Sequence, residues 1–205
     1  MRQKFIKFPT TTEERNRIKT EFYKKFKIPG VLGCIDCTQV AIIRPIIHKE
    51  RYYGRKQYHS LNVLIVSGHF WLRKTMMTPI LDAALDTTEA YYTDLHVHAR
   101  NIVERTIGLL KARFLCLLVH RVLHYAPDVA GRIVNACVIL HNICNSANIS
   151  VPQLNNEDMV QENQSQQQEH DGREQPRGNN LALQLRHNTR SSLVQRLWET
   201  RHLRS

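Results

Sequence analysis

Apolar residues first recur at helical spacing in Ile18, Phe22 and Phe26, one turn apart among charged side chains. Ahead of them Pro9-Thr-Thr-Thr-Glu-Glu14 offers a threonine cap and acids for a first turn, and Pro29-Gly30 offers a stop, so a helix is predicted between. The pattern then changes. Val31 to Asp36 and Val40 to Ile43 are rich in β-branched residues and predict a strand pair, broken at Cys37-Thr38-Gln39 and closed by Pro45. Leu61-Asn-Val-Leu-Ile-Val66 predicts another strand. Further on, Val103, Ile107, Leu110, Phe114 and Leu117 form one helical stripe, with Glu104, Gly108 and Lys111 on a different face. Gly108 costs a helix about 1 kcal/mol relative to alanine, which suggests that a strand or a nucleic-acid backbone approaches closely there. Pro127 to Asn145 predicts a packing helix with proline in its first turn and a stripe of Val129, Ile133, Ala136, Leu140 and Cys144. His141 lies beside that stripe, as a core or boundary histidine.

From about residue 150 the sequence turns to Asn, Gln, Glu and Ser, with Gln164-Ser-Gln-Gln-Gln168 at its centre, and apolar residues become sparse. Too little burial is available there to offset the entropy of ordering, so residues 150–205 are expected to be a disordered tail. Leu183, Leu193, Leu197 and Trp198 allow a short amphipathic helix near its end. Residues 1–149 are then one domain, α/β in class.

Charge follows the same boundary. Of the net +11, residues 1–149 hold 22 Lys and Arg against 11 Asp and Glu, whereas the tail holds 7 against 7. A surplus of that size favours a polyanionic partner, nucleic acid before an anionic membrane surface, because each neutralised phosphate releases condensed counterions. No apolar run reaches the 18 residues of a membrane span, and Met1 to Pro9 lacks the apolar core of a secretory signal. An intracellular chain is expected, with the Asn148 and Asn163 glycosylation sequons unused. Its five cysteines, spread through apolar segments, read as reduced core thiols. Cys34-Ile-Asp-Cys37 does have zinc or redox spacing, and His141 and Cys144 could add ligands. On an extended strand, however, Cys34 and Cys37 point to opposite faces.

Candidate chemistry rests on two acids. Asp36 lies in the apolar run Pro29 to Ile42, where a carboxylate is costly unless a cation or hydrogen bonds compensate it. Glu104 lies on the helix, among Arg100, Arg105 and Lys111. One acid on a strand and one on a helix suggest a divalent-metal site. The polar connector His48 to His59 mixes Arg51, Arg55 and Lys56 with Tyr52, Tyr53 and Tyr58 and reads either as a nucleic-acid contact surface or as an ordinary solvated loop.

Seven segments in order resemble the nucleases derived from Harbinger transposases, a superfamily with a DDE-type acidic triad. They are Phe5 to Pro9, Pro29 to Asp36, Tyr58 to Val63, Leu72 to Pro79, Arg100 to Gly108, Leu110 to Phe114 and Ala136 to Asn142. The resemblance implies an RNase H-like mixed sheet flanked by helices, Asp36 as the first acid and Glu104 as the last, and Mg²⁺ or Mn²⁺ held between them. It implies DNA as substrate, contacted by Arg51, Arg55, Lys56, Arg100, Arg105 and Lys111. It further implies a nuclear protein, also compatible with the cytoplasm, working beside a Myb-like DNA-binding partner.

The chain departs from that family in the middle. The family has a long stretch after the strand that matches Leu61 to Val66, ending in a Gly-Asp-Ser-Gly-Tyr motif that carries the second acid. Here Leu64-Ile-Val-Ser-Gly-His-Phe-Trp-Leu72 fuses the two ends, so Val66 or Ser67 stands where the aspartate belongs. Asp82, Asp86 and Asp94 are near in sequence but match no motif. The expectation is an internally deleted domain with a reduced sheet and an impaired nuclease, or else a non-catalytic DNA-binding or partner-binding remnant.

Overall fold

The computed structural model describes residues 9–54, 56–68, 77–170 and 180–204. Five helices and two strands follow one another along them: α1 Thr12–Phe26, β1 Gly33–Ala41, β2 Ser60–Gly68, α2 Thr88–Arg113, α3 Pro127–Ser146, α4 Asn156–His170 and α5 Asn180–Glu199. The fold is mixed α/β, and β1 and β2 pair as a small antiparallel sheet. No described helix is long and apolar enough to cross a membrane.

Helix α1 begins at the predicted cap. The Thr11 hydroxyl accepts the Glu14 N–H at 3.2 Å while the Glu14 carboxylate accepts the Thr11 N–H at 3.4 Å, a reciprocal pair that satisfies two orphan donors. Lys27 turns left-handed at φ 60° and stops the helix before Pro29. The strand break expected at residues 37–39 is absent. β1 runs unbroken because Thr38 and Val40 are both buried on one face, and its partner is β2 rather than Val40 to Ile43. At its end the Ile42 N–H bonds to the His59 carbonyl at 2.9 Å. Leu123 adds a parallel bridge there, with Ile43 N–H to Leu123 O and Leu123 N–H to Ala41 O both at 2.9 Å.

Helix α2 starts at Thr88, well before the predicted stripe, with the Thr87 hydroxyl accepting the Ala90 N–H at 3.2 Å. Val103, Ile107 and Leu110 are buried as expected, but the helix ends at Arg113 and Leu115–Leu117 form a 3₁₀ turn. In α3 the buried face is Ala130, Val134, Cys137 and His141, one position round from the predicted stripe, and Leu140 is 48% exposed. Apolar residues lie on both faces of this helix, so periodicity alone did not distinguish them.

The described residues divide into two compact units, 36–65 with 104–170 and 9–35 with 66–68, 77–103 and 180–204. The second unit has a core of Phe26, Ile28, Tyr92, Ala99, Leu193, Val194 and Leu197. The expected disorder after residue 150 is therefore corrected: α5 supplies three core residues, and Trp198 packs edge-on to Tyr91 with ring centroids 6.1 Å apart. In the first unit, α4 also contradicts the disorder expected from composition. Its buried side chains are Asp158 and Glu162, whereas Met159 and Val160 are exposed. Asn155 caps it, accepting the Asp158 N–H at 2.7 Å.

Candidate metal and nucleic-acid site

Asp36 sits half-buried on β1 and accepts the Cys37 N–H on Oδ1 at 3.0 Å, which fixes the rotation of its carboxylate. Glu104 is exposed in the interior of α2. Both fall in the first unit, at the heads of its segments 36–65 and 104–170. Asp82, Asp86 and Asp94 belong to the second unit. Among the described residues no group of three or more His, Cys, Asp or Glu side chains could hold a metal ion.

The zinc alternative is not met by the local geometry. β1 passes unbroken through Cys34 and Cys37, so their side chains leave opposite faces. Cys34 donates its thiol to the Ala99 carbonyl at 3.2 Å, and burial pushes its pKa up to about 11, which keeps it protonated rather than a thiolate ligand. It behaves as a packing residue.

The basic residues separate into distinct situations. Arg51 is exposed at the end of the 3₁₀ turn Lys49–Arg51, and Lys56 is half-buried in the turn that follows; Arg55 lies outside the described residues. This connector is folded rather than loose, with the Tyr58 hydroxyl donating to Gln39 Oε1 at 2.9 Å and Tyr53 bridged to His59. Arg105 is exposed on α2, and Arg100 belongs to the second unit. Lys111 is covered rather than open. It is only 4% exposed, and its ammonium donates to the Glu162 carboxylate of α4, so no phosphate reaches it while α4 is docked. A Cβ at Gly108 would meet nothing within 4 Å, so of the two expected partners no described strand packs on it.

The histidine expected in the core or at its boundary lies in the core. His141 is 4% exposed, and its Nδ1 has no hydrogen-bond partner. Burial, then the Arg113 guanidinium, holds its pKa below the ordinary histidine value. Arg113 itself closes the end of α3, donating to the Ile149 carbonyl at 2.9 Å and to Asn145 Oδ1 at 3.4 Å. The unfolded chain therefore binds the His141 proton more readily than the folded one. The stabilising contribution is complete above the unfolded pKa, about 6.5, and is lost as pH falls through the depressed folded value. Thermal unfolding should show a Tm decline from pH 7.5 to 5.5 that is shallower in His141→Met; parallel profiles would refute the assignment.

With this geometry in view, residues 67–142, which contain α2, Glu104 and most of α3, match the DDE superfamily endonuclease family. The chain carries part of a DDE endonuclease domain and is homologous to the nucleases derived from Harbinger transposases. Its relatives include the proteins named "Putative nuclease HARBI1" of Xenopus laevis, Bos taurus and Homo sapiens, which are 32%, 30% and 29% identical to it over 185 residues. Each comparison covers 68% of this chain and 53% of the relative, so the chain spans about half the length of the relatives it matches. No solved structure matches it.

Proposed function

We propose that this protein is a divalent-metal-dependent DNA nuclease of transposase origin, working through Asp36 and Glu104 and impaired by the loss of the middle acid. The observation that carries the reading is the match of residues 67–142, Glu104 among them, to the DDE superfamily endonuclease family. An internal deletion in an RNase H-like ancestor accounts for the missing acid. In support, the 185 aligned positions take up 68% of 205 residues, about 139, which leaves about 46 positions without a residue here.

Mg²⁺ needs only one or two protein carboxylates beside water and substrate phosphate, so Asp36 and Glu104 are enough in number for one such ion, whereas a two-ion site calls for more acids. When bound, the ion would stabilise charge developing on the scissile phosphate. Asp36 is the positioned member, its carboxylate held by the Cys37 N–H, and Glu104 would be the ligand supplied by the helix. Arg51, Lys56 and Arg105 would hold the DNA backbone without reading its sequence. A DNA substrate, a nuclear location and a Myb-like partner belong to the same reading.

The second reading is a DNA-binding or partner-binding remnant without catalysis, favoured by the absent acid together with the basic surplus on residues 1–149. A supercoiled-plasmid nicking assay with Mg²⁺ or Mn²⁺ separates the two. Slow nicking that drops about a hundredfold in Glu104→Gln, the scale of losing one group that stabilises transition-state charge, supports the nuclease. Nicking that survives the substitution points to a contaminant. No nicking at any metal concentration, with duplex binding that weakens steeply as salt is added, supports the remnant.

A further inference from the structure

Helix α4 inverts the usual rule for a docked helix. Its apolar Met159 and Val160 face solvent at 45% and 54% exposure, while Asp158 and Glu162 are buried at 5% and 6%. These acids are four residues apart and so share one helix face. Four groups converge on them, and within the set the Arg121 guanidinium donates to His120 Nε2 at 3.2 Å. Glu162 takes the Lys111 ammonium on Oε1 and the Val119 N–H on Oε2 at 3.4 Å. Asp158 Oδ1 meets His120 Nε2 at 2.7 Å and Arg121 at 3.7 Å. The helix is thus seated by charge and hydrogen bonds rather than by apolar burial.

The seat gathers two cations, the Lys111 ammonium and the Arg121 guanidinium, with a backbone N–H and an imidazole, all from residues 111–121. A polyanion's phosphates ask for the same set of donors. The occupying acids come from the charge-balanced region after residue 150, and the seat belongs to the part of the chain that holds the whole positive surplus.

We propose that Lys111, the Val119 N–H, His120 and Arg121 form a phosphate-binding site for nucleic acid, and that Asp158 and Glu162 of α4 occupy it in place of two phosphates. Helix α4 then competes with the nucleic acid for this site. The choice of nucleic acid as the ligand rests on the function proposed above, whereas the anion site itself does not.

The test uses the full chain and two probes, a short DNA duplex and inorganic tripolyphosphate. Asp158→Asn/Glu162→Gln is compared with Glu21→Gln/Glu157→Gln, which removes the same charge from exposed positions. Duplex binding by the first variant should be roughly tenfold tighter than by the second, the gain expected when a site occluded nine-tenths of the time is opened. Tripolyphosphate binding should tighten in parallel. Tighter tripolyphosphate binding with unchanged duplex binding keeps the anion site and discards nucleic acid as its ligand. Equal binding of both probes by the two variants overturns the proposal, even if the unmodified protein binds duplex through other surfaces. If the double variant does not fold, Asp158→Asn alone keeps the Lys111–Glu162 pair, and about a threefold gain over Glu157→Gln is then the deciding result, again by the release of an occluded fraction.

Discussion

Leu197→Ala is expected to destabilise the protein by about 2–5 kcal/mol, the range for truncating a buried leucine whose surroundings cannot fully collapse. Leu197 is completely buried, on α5, in a core with Phe26, Ile28, Tyr92, Ala99, Leu193 and Val194. For a chain of this size that corresponds to a Tm lowered by about 5–15 °C. Leu85→Ala provides the comparison: Leu85 is 90% exposed, and its truncation should change stability by less than about 0.5 kcal/mol. Equal melting curves for the two variants would mean that α5 is not part of the core. The expectation matters because composition alone would allow everything after residue 150 to be cut away as a tail, whereas removing α5 would strip three side chains from the centre of a unit.

The second large effect is Lys111→Met. Removing one partner of a buried ion pair strands the other charge, at about 3–5 kcal/mol. Glu162 can avoid that cost because α4 is held by few apolar contacts and can leave. The expected result is therefore loss of hydrogen-exchange protection over residues 156–170, with a smaller drop in the main unfolding transition. Lys111→Met/Glu162→Met should restore the protection, since a well-packed apolar pair can replace a buried ionic one at little cost. If the single variant keeps α4 fully protected, the Lys111–Glu162 pair does not hold the helix.

These two cases also mark where the sequence was readable. Local chemistry was: the Thr11 and Glu14 cap, the stop before Pro29, the stripe Val103, Ile107 and Leu110, and the placement of Asp36 on a strand and Glu104 on a helix all follow from neighbours a few residues apart. Long-range pairing was not. Lys111 and Glu162 are 51 positions apart, and nothing periodic links them, so a lysine beside a candidate acid looked like a surface cation. The rotation of α3 escaped for a different reason, since Val129, Ile133 and Leu140 compete with Ala130, Val134 and Cys137 as equally apolar faces. β1 was split in two because polar Thr38 and Gln39 resemble a turn, although Thr38 is buried within the strand. For the candidate site, the expectation that a middle acid is missing came from motif comparison within the sequence, while the covering of Lys111 required a helix that composition argued against.

The short sheet has a consequence for how the chain is made. A two-stranded ribbon is marginal in water by itself, and β1 is tied to partners far downstream, Cys34 to Ala99 and Ile42 to Leu123. On a ribosome, the first third of the polypeptide, which holds both strands, would emerge before those partners and wait unfinished. Chaperone demand, and the toll of any premature stop codon, should fall most heavily on that interval.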